Sequence, residues 1–219
     1  MKRSTSELIE SLVVDSAPVR PLRRPLWRAI GWLLLAALLL LSIAVAHGLR
    51  PDLSVKLHER VFLTGVVAAA ATGILAAVAA FVASVPGRSL RWLLLPLPAL
   101  LVWMSTIGYG CLTNWVEISP DGMSPGETAR CFATLVLTGV PLSLTLLIML
   151  RHVARLAPVP VAMAGSVAVS AMTAVALSLL HPLDATVMIL AWNVGLTAIL
   201  LIGSAWHGPR LFHWIEPRS

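Results

Sequence analysis

The sequence predicts an all-α integral membrane protein, a bundle of six transmembrane helices preceded by a short cytoplasmic amphipathic helix. Three observations predict this class. Apolar residues make up 58% of the 219 residues and charged residues only 12%, whereas a soluble domain usually carries about 25% charged residues. The charges are absent from long stretches and are not thinned evenly along the chain. Twelve of the sixteen lysines and arginines fall on one side of these stretches.

Each uncharged run has at least 20 residues, which as a helix crosses about 30 Å of hydrocarbon. Ala44-Val45-Ala46 resembles a signal-peptidase site, but 28 mostly polar residues precede the first run, so we predict that this helix is retained. The predicted organisation is a cytoplasmic N-terminal segment 1–28, a transmembrane domain 29–209 and a cytoplasmic tail 210–219. The predicted spans lie near residues 29–48, 61–85, 92–111, 129–150, 160–180 and 185–206.

The distribution of positive charge predicts the orientation of the bundle. Only Arg50, Lys56, Arg60 and Arg130 lie on the side opposite the other twelve basic residues. The positive-inside rule places the side with twelve in the cytoplasm, which predicts a bacterial inner-membrane protein with both termini cytoplasmic. The basic balance then reflects topology and contact with the lipid bilayer. No direct nucleic-acid partner is predicted, because no polar segment is large enough to form a binding face.

The N-terminal segment contains the pattern of a short amphipathic helix. Ser4 and Glu7 have the spacing of a capping box, and Pro18 ends the helix. A helix of about ten residues is marginal alone, so its apolar stripe needs lipid, the protein's own loops or a partner to cover it. The stripe consists of Leu8, Ile9, Leu12 and Val13.

Small residues recur every fourth position in two spans, and such spacing lets helix backbones approach closely. In the second span they are Ala69, Gly73 and Ala77, and in the fifth they are Ala162, Ser166, Ser170, Ala174 and Ser178. Packing within the bundle is the favoured interpretation, and a homo-oligomer face is the alternative. Pro96, Pro98 and Pro141 are expected to bend the third and fourth spans.

The spans lack the groups that several activities require. No Asp, Glu, Lys or Arg lies inside any of the six uncharged runs, whereas ion-coupled transporters usually need an intramembrane ionisable group. No phosphate loop, HExxH or G-x-S-x-G motif occurs either. We therefore expect no enzymatic activity and no resident cofactor. A small metal-ion or solute permease remains the alternative function.

The two cysteines are predicted at the same periplasmic level. Cys111 closes the third span and Cys131 opens the fourth, on either side of a predicted loop 112–130. Three interpretations remain open: a structural disulfide, a redox or metal-responsive pair, and two small apolar residues that only pack. His181 and Asp184 begin the last hairpin and are candidate auxiliary ligands for a regulatory heavy-metal ion.

The order of short motifs along nearly the whole chain resembles the NrsF-type membrane anti-sigma factors. These motifs are Pro18-Val19-Arg20-Pro21-Leu22-Arg23, Leu49-Arg50-Pro51-Asp52-Leu53, Pro86-Gly87-Arg88, Pro96-Leu97-Pro98 before Trp103, Gly110-Cys111, Trp115, Cys131, His181 and Trp192. The chain departs from the family pattern at Pro182 and Asn193, where a cysteine and a histidine are frequent.

The resemblance implies a function. An anti-sigma factor of this type holds an extracytoplasmic-function (ECF) sigma factor inactive at the inner membrane and releases it when a stress is sensed. It implies Cys131 and Cys111 as the groups that sense a thiol-reactive metal or oxidant near the periplasmic face. It also favours a sigma factor as the partner that covers the N-terminal stripe, with Arg20 and Arg23 pairing with its acidic residues.

Overall fold

The computed structural model of the chain describes residues 24–113, 125–150 and 158–180, together with Thr5, Glu10, Ile199 and Ile202. Side chains in 110–113, 125–131 and at 158 lie outside this description. The described residues form helices and turns, with no strand among them. The α-helices are α1 (Pro25–His47), α2 (Leu53–Lys56), α3 (Arg60–Ala83), α4 (Leu97–Thr113), α5 (Pro125–Leu150) and α6 (Pro158–Leu180), and a 3₁₀ helix (Leu90–Leu94) precedes α4.

Five of the predicted spans coincide with helices long and apolar enough to cross a membrane. They cover residues 25–47, 60–83, 90–109, 132–150 and 159–180 of the described chain. The first begins at Pro25, because a proline has no N–H to leave unpaired in a first helical turn. It ends before Gly48, whose φ of 80° suits glycine and whose N–H donates to the Ala44 carbonyl at 2.9 Å.

Two predicted helices lie outside the described residues. Within the N-terminal segment, Thr5 and Glu10 are helical and exposed, but the apolar stripe is not described. Within the predicted sixth span, Ile199 and Ile202 are likewise helical and exposed. The amphipathic helix and the count of six spans therefore stay predictions.

Helices α3 and α6 form the centre of the bundle and pack more extensively on each other than any other pair. The small residues predicted in the second span lie in this contact. Ala69 and Ala77 are 2% and 0% exposed, and a Cβ added at Gly73 would lie 2.9 Å from Met172 Cε of α6. The interpretation that these residues pack within the bundle is confirmed for α3.

The small-residue stripe predicted in α6 lies in a different register from the buried face. Of its five members only Ala174 is buried, and Ala162, Ser166, Ser170 and Ser178 are half-buried. The most buried small positions are instead Ala168 and Ala171, both 0% exposed. A spacing of four drifts around a helix of 3.6 residues per turn, so over 16 residues the stripe leaves the face that meets α3.

The prolines act at the third and fourth spans in different ways. The third span begins as the 3₁₀ helix, and a turn at Leu95 and Pro96 separates this from α4. Pro141 instead lies inside the continuous helix α5. The α-helical part of the third span is therefore short, while the fourth span runs through its proline.

The start of α5 corrects the predicted loop between the third and fourth spans. The helix begins at Pro125, so residues 125–130 are helical and belong to α5. The loop was predicted over 112–130, but α4 continues to Thr113. A proline at the first helical position explains the early start. The uncharged run begins only at residue 131, after Glu127 and Arg130, and therefore does not indicate where the helix starts.

Buried apolar residues form two clusters along the bundle. One lies between α1, α3, α5 and α6, around Trp32 and Phe81, both 0% exposed. The other lies between α3, α4 and α6, around Trp103 at 8% exposure.

Candidate functional site

The alternating direction of the helices groups their ends into two sets. Helices α1, α4 and α6 finish where α3 and α5 begin, and we call this the cysteine end because Cys111 and Cys131 belong to it. The other end contains Arg24, Arg28 and the turn 84–89, and we call it the basic end.

The two cysteines occupy helical positions at the cysteine end. Cys111 is in the last turn of α4, two residues before its end at Thr113. Cys131 is in the second turn of α5, six residues after Pro125. Both backbones therefore lie near the same end of consecutive helices, as predicted. Their thiols lie outside the described side chains, so the bridge, sensor and packing interpretations all remain open.

A twelve-residue loop, 48–59, connects α1 to α3 at the cysteine end. It contains the short helix α2, and its best-buried residue is Arg50, which is 4% exposed. The Arg50 guanidinium binds the Asp52 carboxylate in a two-pronged arrangement, with Nε to Oδ1 at 2.8 Å and Nη2 to Oδ2 at 2.7 Å. A fork of this kind is the strongest geometry for an arginine and a carboxylate.

The two partners of this ion pair have different access to water. The Arg50 side chain is 2% exposed, whereas that of Asp52 is 43% exposed. The hydrogen bonds from Arg50 lower the pKa of Asp52 below its ordinary value of 3.8. A carboxyl group whose pKa is lower in the folded than in the unfolded protein stabilises the fold at pH values above its unfolded-state pKa. This stabilisation is lost as the pH falls through the folded-state pKa. The pair therefore stays ionised at neutral pH.

Arg50 also joins the loop to two helices of the bundle. Its backbone N–H donates to the Leu179 carbonyl in the last turn of α6 at 3.2 Å. Its guanidinium carbon lies 5.5 Å from the centre of the Phe62 ring in the first turn of α3, a cation–π distance. A cation at the end of α6 also complements the negative end of the helix dipole.

The basic end contains several arginines together with both buried and exposed aromatic rings. The Arg28 guanidinium lies 5.4 Å from the Phe81 ring centre, and Arg24, Arg88 and Arg91 are exposed. The described ion pairs, Arg50–Asp52 and Lys56–Glu59, both lie in the opposite loop. Exposed Trp27 and Trp92 add the aromatic residues that are common at a membrane surface. Among the described residues, the arginines at this end have no carboxylate in an ion pair with them, and such positive charge suits contact with lipid phosphates or an acidic protein surface.

A hydrogen bond deep in the bundle links the first and fourth spans. The buried Trp32 indole Nε1 donates to the Leu142 carbonyl of α5 at 3.2 Å. That carbonyl follows Pro141 directly. The bond satisfies an indole N–H that would otherwise be buried without a partner, and it fixes the register of α1 against α5.

The buried interior of the described helices offers little polar surface. Apart from Arg50, the buried polar residues of the described ranges are Thr72, Ser84, Thr138 and Thr173. The first three donate to backbone carbonyls of their own helices. The Thr173 hydroxyl has no hydrogen-bond partner. Within the described ranges this bundle is a packed apolar core, with no continuous polar path.

The remaining predicted site residues lie outside the described part of the chain. They are the partner-binding residues Leu8, Ile9, Leu12, Val13, Arg20 and Arg23 and the auxiliary ligands His181 and Asp184. Leu180, the last residue of α6, places the start of the final hairpin at the cysteine end. No group of three His, Cys, Asp or Glu side chains that could hold a metal ion occurs among the described residues.

Arg50 is the residue whose role the sequence analysis missed. From the sequence, Arg50 contributes only to the charge asymmetry that predicts the orientation and to the motif Leu49-Arg50-Pro51-Asp52-Leu53. The available signal was an arginine and an aspartate two residues apart with apolar neighbours. Its contact with Leu179, far away in the sequence, had no signal of its own.

Comparison with known protein families identifies the family of this chain. A sequence model of the NrsF family, described as negative regulator of sigma F, matches residues 12–214 and so covers nearly the whole chain. No curated protein and no solved structure matches.

Proposed function

Because the chain belongs to the NrsF family of negative regulators of sigma F, we propose that it is a membrane-bound anti-sigma factor. It holds an ECF-type sigma factor inactive at a bacterial inner membrane and releases it when a stress is sensed near the periplasmic face. Both termini lie in the cytoplasm in this proposal, so the N-terminal segment meets the partner directly.

The observation that carries this proposal is the distribution of apolar helices. Five helices long enough to cross a membrane account for most of the described chain. Little polar chain remains with which a soluble regulator could bind a partner. A family of negative regulators that is built mostly of such helices is best explained by retention of the sigma factor at the membrane.

The interior of the bundle favours a regulator over the permease alternative. A solute pathway requires polar groups along a cavity, whereas the buried residues of the described helices are almost all alanine, leucine, valine, tryptophan and phenylalanine. The proposal therefore assigns the bundle a sensing and anchoring role.

The sigma factor would bind the N-terminal segment. Leu8, Ile9, Leu12 and Val13 form a stripe that fits an apolar groove, and Arg20 and Arg23 add charges for an acidic rim. Glu10 is exposed and lies two residues from both Leu8 and Leu12, so it belongs to the opposite face of the helix. In this proposal that polar face stays in water while the apolar stripe faces the partner.

The signal would act at the cysteine end. Oxidation or metal binding that joined Cys111 to Cys131 would fix the end of α4 against the beginning of α5. That change reaches the cytoplasm only if the bundle has two discrete arrangements. A thiol-reactive metal is the regulatory ion that this proposal implies, and no resident cofactor is required.

The proposal is tested by co-purification of the sigma factor with Leu8→Asp or Leu12→Asp protein in detergent. A carboxylate placed in an apolar groove without a partner costs several kcal/mol, which removes a typical micromolar interaction. We expect loss of at least nine tenths of the bound sigma factor, with unchanged membrane insertion.

Glu10→Gln is the matched control, because Glu10 is exposed, lies on the face of the helix opposite Leu8 and Leu12, and its charge also changes by one unit. It is expected to retain the sigma factor at the wild-type level. Full retention by both stripe variants would contradict docking through the N-terminal segment.

A further inference from the structure

Arg50, the best-buried residue of the loop at the cysteine end, contacts two helices of the bundle. Arg50 contacts Asp52 within the loop, the Phe62 ring of α3 and the Leu179 carbonyl of α6. We call these four residues the latch. Other apolar residues of the loop contribute less, because Leu49, Val55 and Leu57 are 56%, 66% and 41% exposed.

We propose that Arg50 is a positioning residue whose latch holds loop 48–59 on the end of α6, and that the seated latch keeps the protein in its repressing arrangement. The second half of this statement rests on the proposed function. The first half concerns only the described contacts and is testable without a sigma factor.

The charge balance of the latch allows the loop to leave and return as a unit. The described ion-pair partner of Arg50 is Asp52, two residues away in the same loop, so this ion pair stays intact when the loop lifts from the bundle. Of the contacts described for Arg50, lifting breaks the backbone hydrogen bond to Leu179 and the cation–π contact with Phe62. An ion pair between two helices would instead leave a buried charge unpaired on opening. The arrangement therefore suits a reversible contact.

The backbone at the beginning of the loop suits the same movement. Gly48 has a φ of 80° and ends α1, and nothing lies within 4 Å of a Cβ built on it. Asp52 stands at the N-cap of α2 without making a side-chain cap bond, because its carboxylate is bound to Arg50. The Asp52 side chain therefore forms the ion pair and does not cap α2.

The position of the latch connects it to the rest of the cysteine end. The Leu179 carbonyl lies in the last turn of α6, one residue before that helix ends at Leu180. His181 follows at once in the sequence. A change at this end that shifts the last turn of α6 therefore acts directly on the hydrogen bond from Arg50.

The test compares full-length wild-type protein with Arg50→Gln, Asp52→Asn and the double variant, all in detergent micelles. Hydrogen exchange of peptides covering 48–59 measures whether the loop is seated. We expect exchange at least tenfold faster in Arg50→Gln, because this change removes the guanidinium from the ion pair and from the Phe62 ring. Asp52→Asn is also expected to exchange faster, because it removes the negative charge from a two-pronged ion pair whose arginine side chain is 2% exposed. The double variant is expected to match Arg50→Gln.

Lys56→Gln is the matched control, because it removes the same charge from the same loop and breaks only the exposed pair with Glu59. It is expected to exchange like the wild type. Equal elution volume and yield for all variants establish that they fold. Unchanged exchange in both Arg50→Gln and Asp52→Asn would overturn the latch.

The same variants are then assayed in cells for output from a promoter that the sigma factor controls. We expect Asp52→Asn to raise uninduced output at least fivefold and Lys56→Gln to leave it unchanged. Faster exchange with wild-type output would overturn the link between the latch and repression. A strain that lacks the whole protein separates the two proposals: if its output is unchanged too, the proposed function fails, while the exchange data still support the latch.

Discussion

The central helices α3 and α6 differ from the outer helices α1, α4 and α5 in side-chain size far more than in apolar character. In the most apolar stretch of each central helix, 61% of the residues are buried, whereas in the corresponding stretches of the outer helices 17% to 22% are buried. The buried positions of α3 are mostly alanine, glycine and threonine, while leucine is the commonest residue at the exposed positions of α1. In lipid an apolar side chain gains nothing by being inside. Small side chains therefore select the centre, because they allow close backbone contact.

The comparison predicts the largest effect where an outer helix inserts its one large buried side chain. Trp32→Ala should lower the free energy of unfolding by about 3 kcal/mol, because it leaves a cavity and removes the bond to the Leu142 carbonyl. Trp27→Ala, at a position that is 65% exposed on the same helix, should change it by less than about 0.5 kcal/mol. Unfolding in mixed micelles with increasing SDS, followed by circular dichroism, measures both. Equal losses would show that the outer helix is not anchored through Trp32.

A second prediction compares glycines in the two regions. Gly73→Leu should lower the unfolding free energy by about 2 kcal/mol or more, because even a Cβ there meets Met172 and lies 3.4 Å from the Ala168 carbonyl oxygen. Gly31→Leu on α1 should be neutral or stabilising, since nothing lies within 4 Å of a Cβ at that position and leucine favours the helix. The same SDS titration applies. A stable Gly73→Leu protein would mean that α3 and α6 tolerate separation.

The smallest predicted effect lies within the central pair. Thr173→Val should change the unfolding free energy by less than about 0.5 kcal/mol, because the buried hydroxyl has no hydrogen bond to lose. Thr72→Val removes a 2.7 Å bond to the Ala68 carbonyl and should cost about 0.6 kcal/mol, the usual value for such bonds in membrane helices. A larger loss for Thr173→Val than for Thr72→Val would reveal a partner outside the described residues.

The sequence was sufficient to predict the helices but not their contacts. Five spans were found within a few residues because length and the absence of charge are local properties. The predicted loop extended too far, to residue 130, because Glu127 and Arg130 are charged. Charged residues can nevertheless occupy the beginning of a helix, before its apolar part. The family followed from the order of motifs such as Pro86-Gly87-Arg88. These features needed no three-dimensional information.

Contacts between distant residues could not be predicted in the same way. The stripe in α6 was assigned by a spacing of four, but the face that meets α3 depends on which side of the helix the neighbour occupies. Arg50 appeared to be a loop charge because its link to Leu179 crosses more than half the chain. The sensor role of Cys111 and Cys131 stays a prediction, since a shared end of the bundle does not determine what two thiols do.

The short α-helix of the third span has a consequence for the lipid around it. Seventeen residues give about 25 Å of α-helix, less than the ~30 Å of a typical hydrocarbon core. The 3₁₀ helix Leu90–Leu94 must complete the crossing, adding about 10 Å at 2.0 Å per residue. A thicker bilayer creates hydrophobic mismatch first at this crossing, and the bilayer thins locally or the crossing straightens. Membrane thickness thereby becomes a mechanical input to the bundle at Pro96, where the two kinds of helix meet.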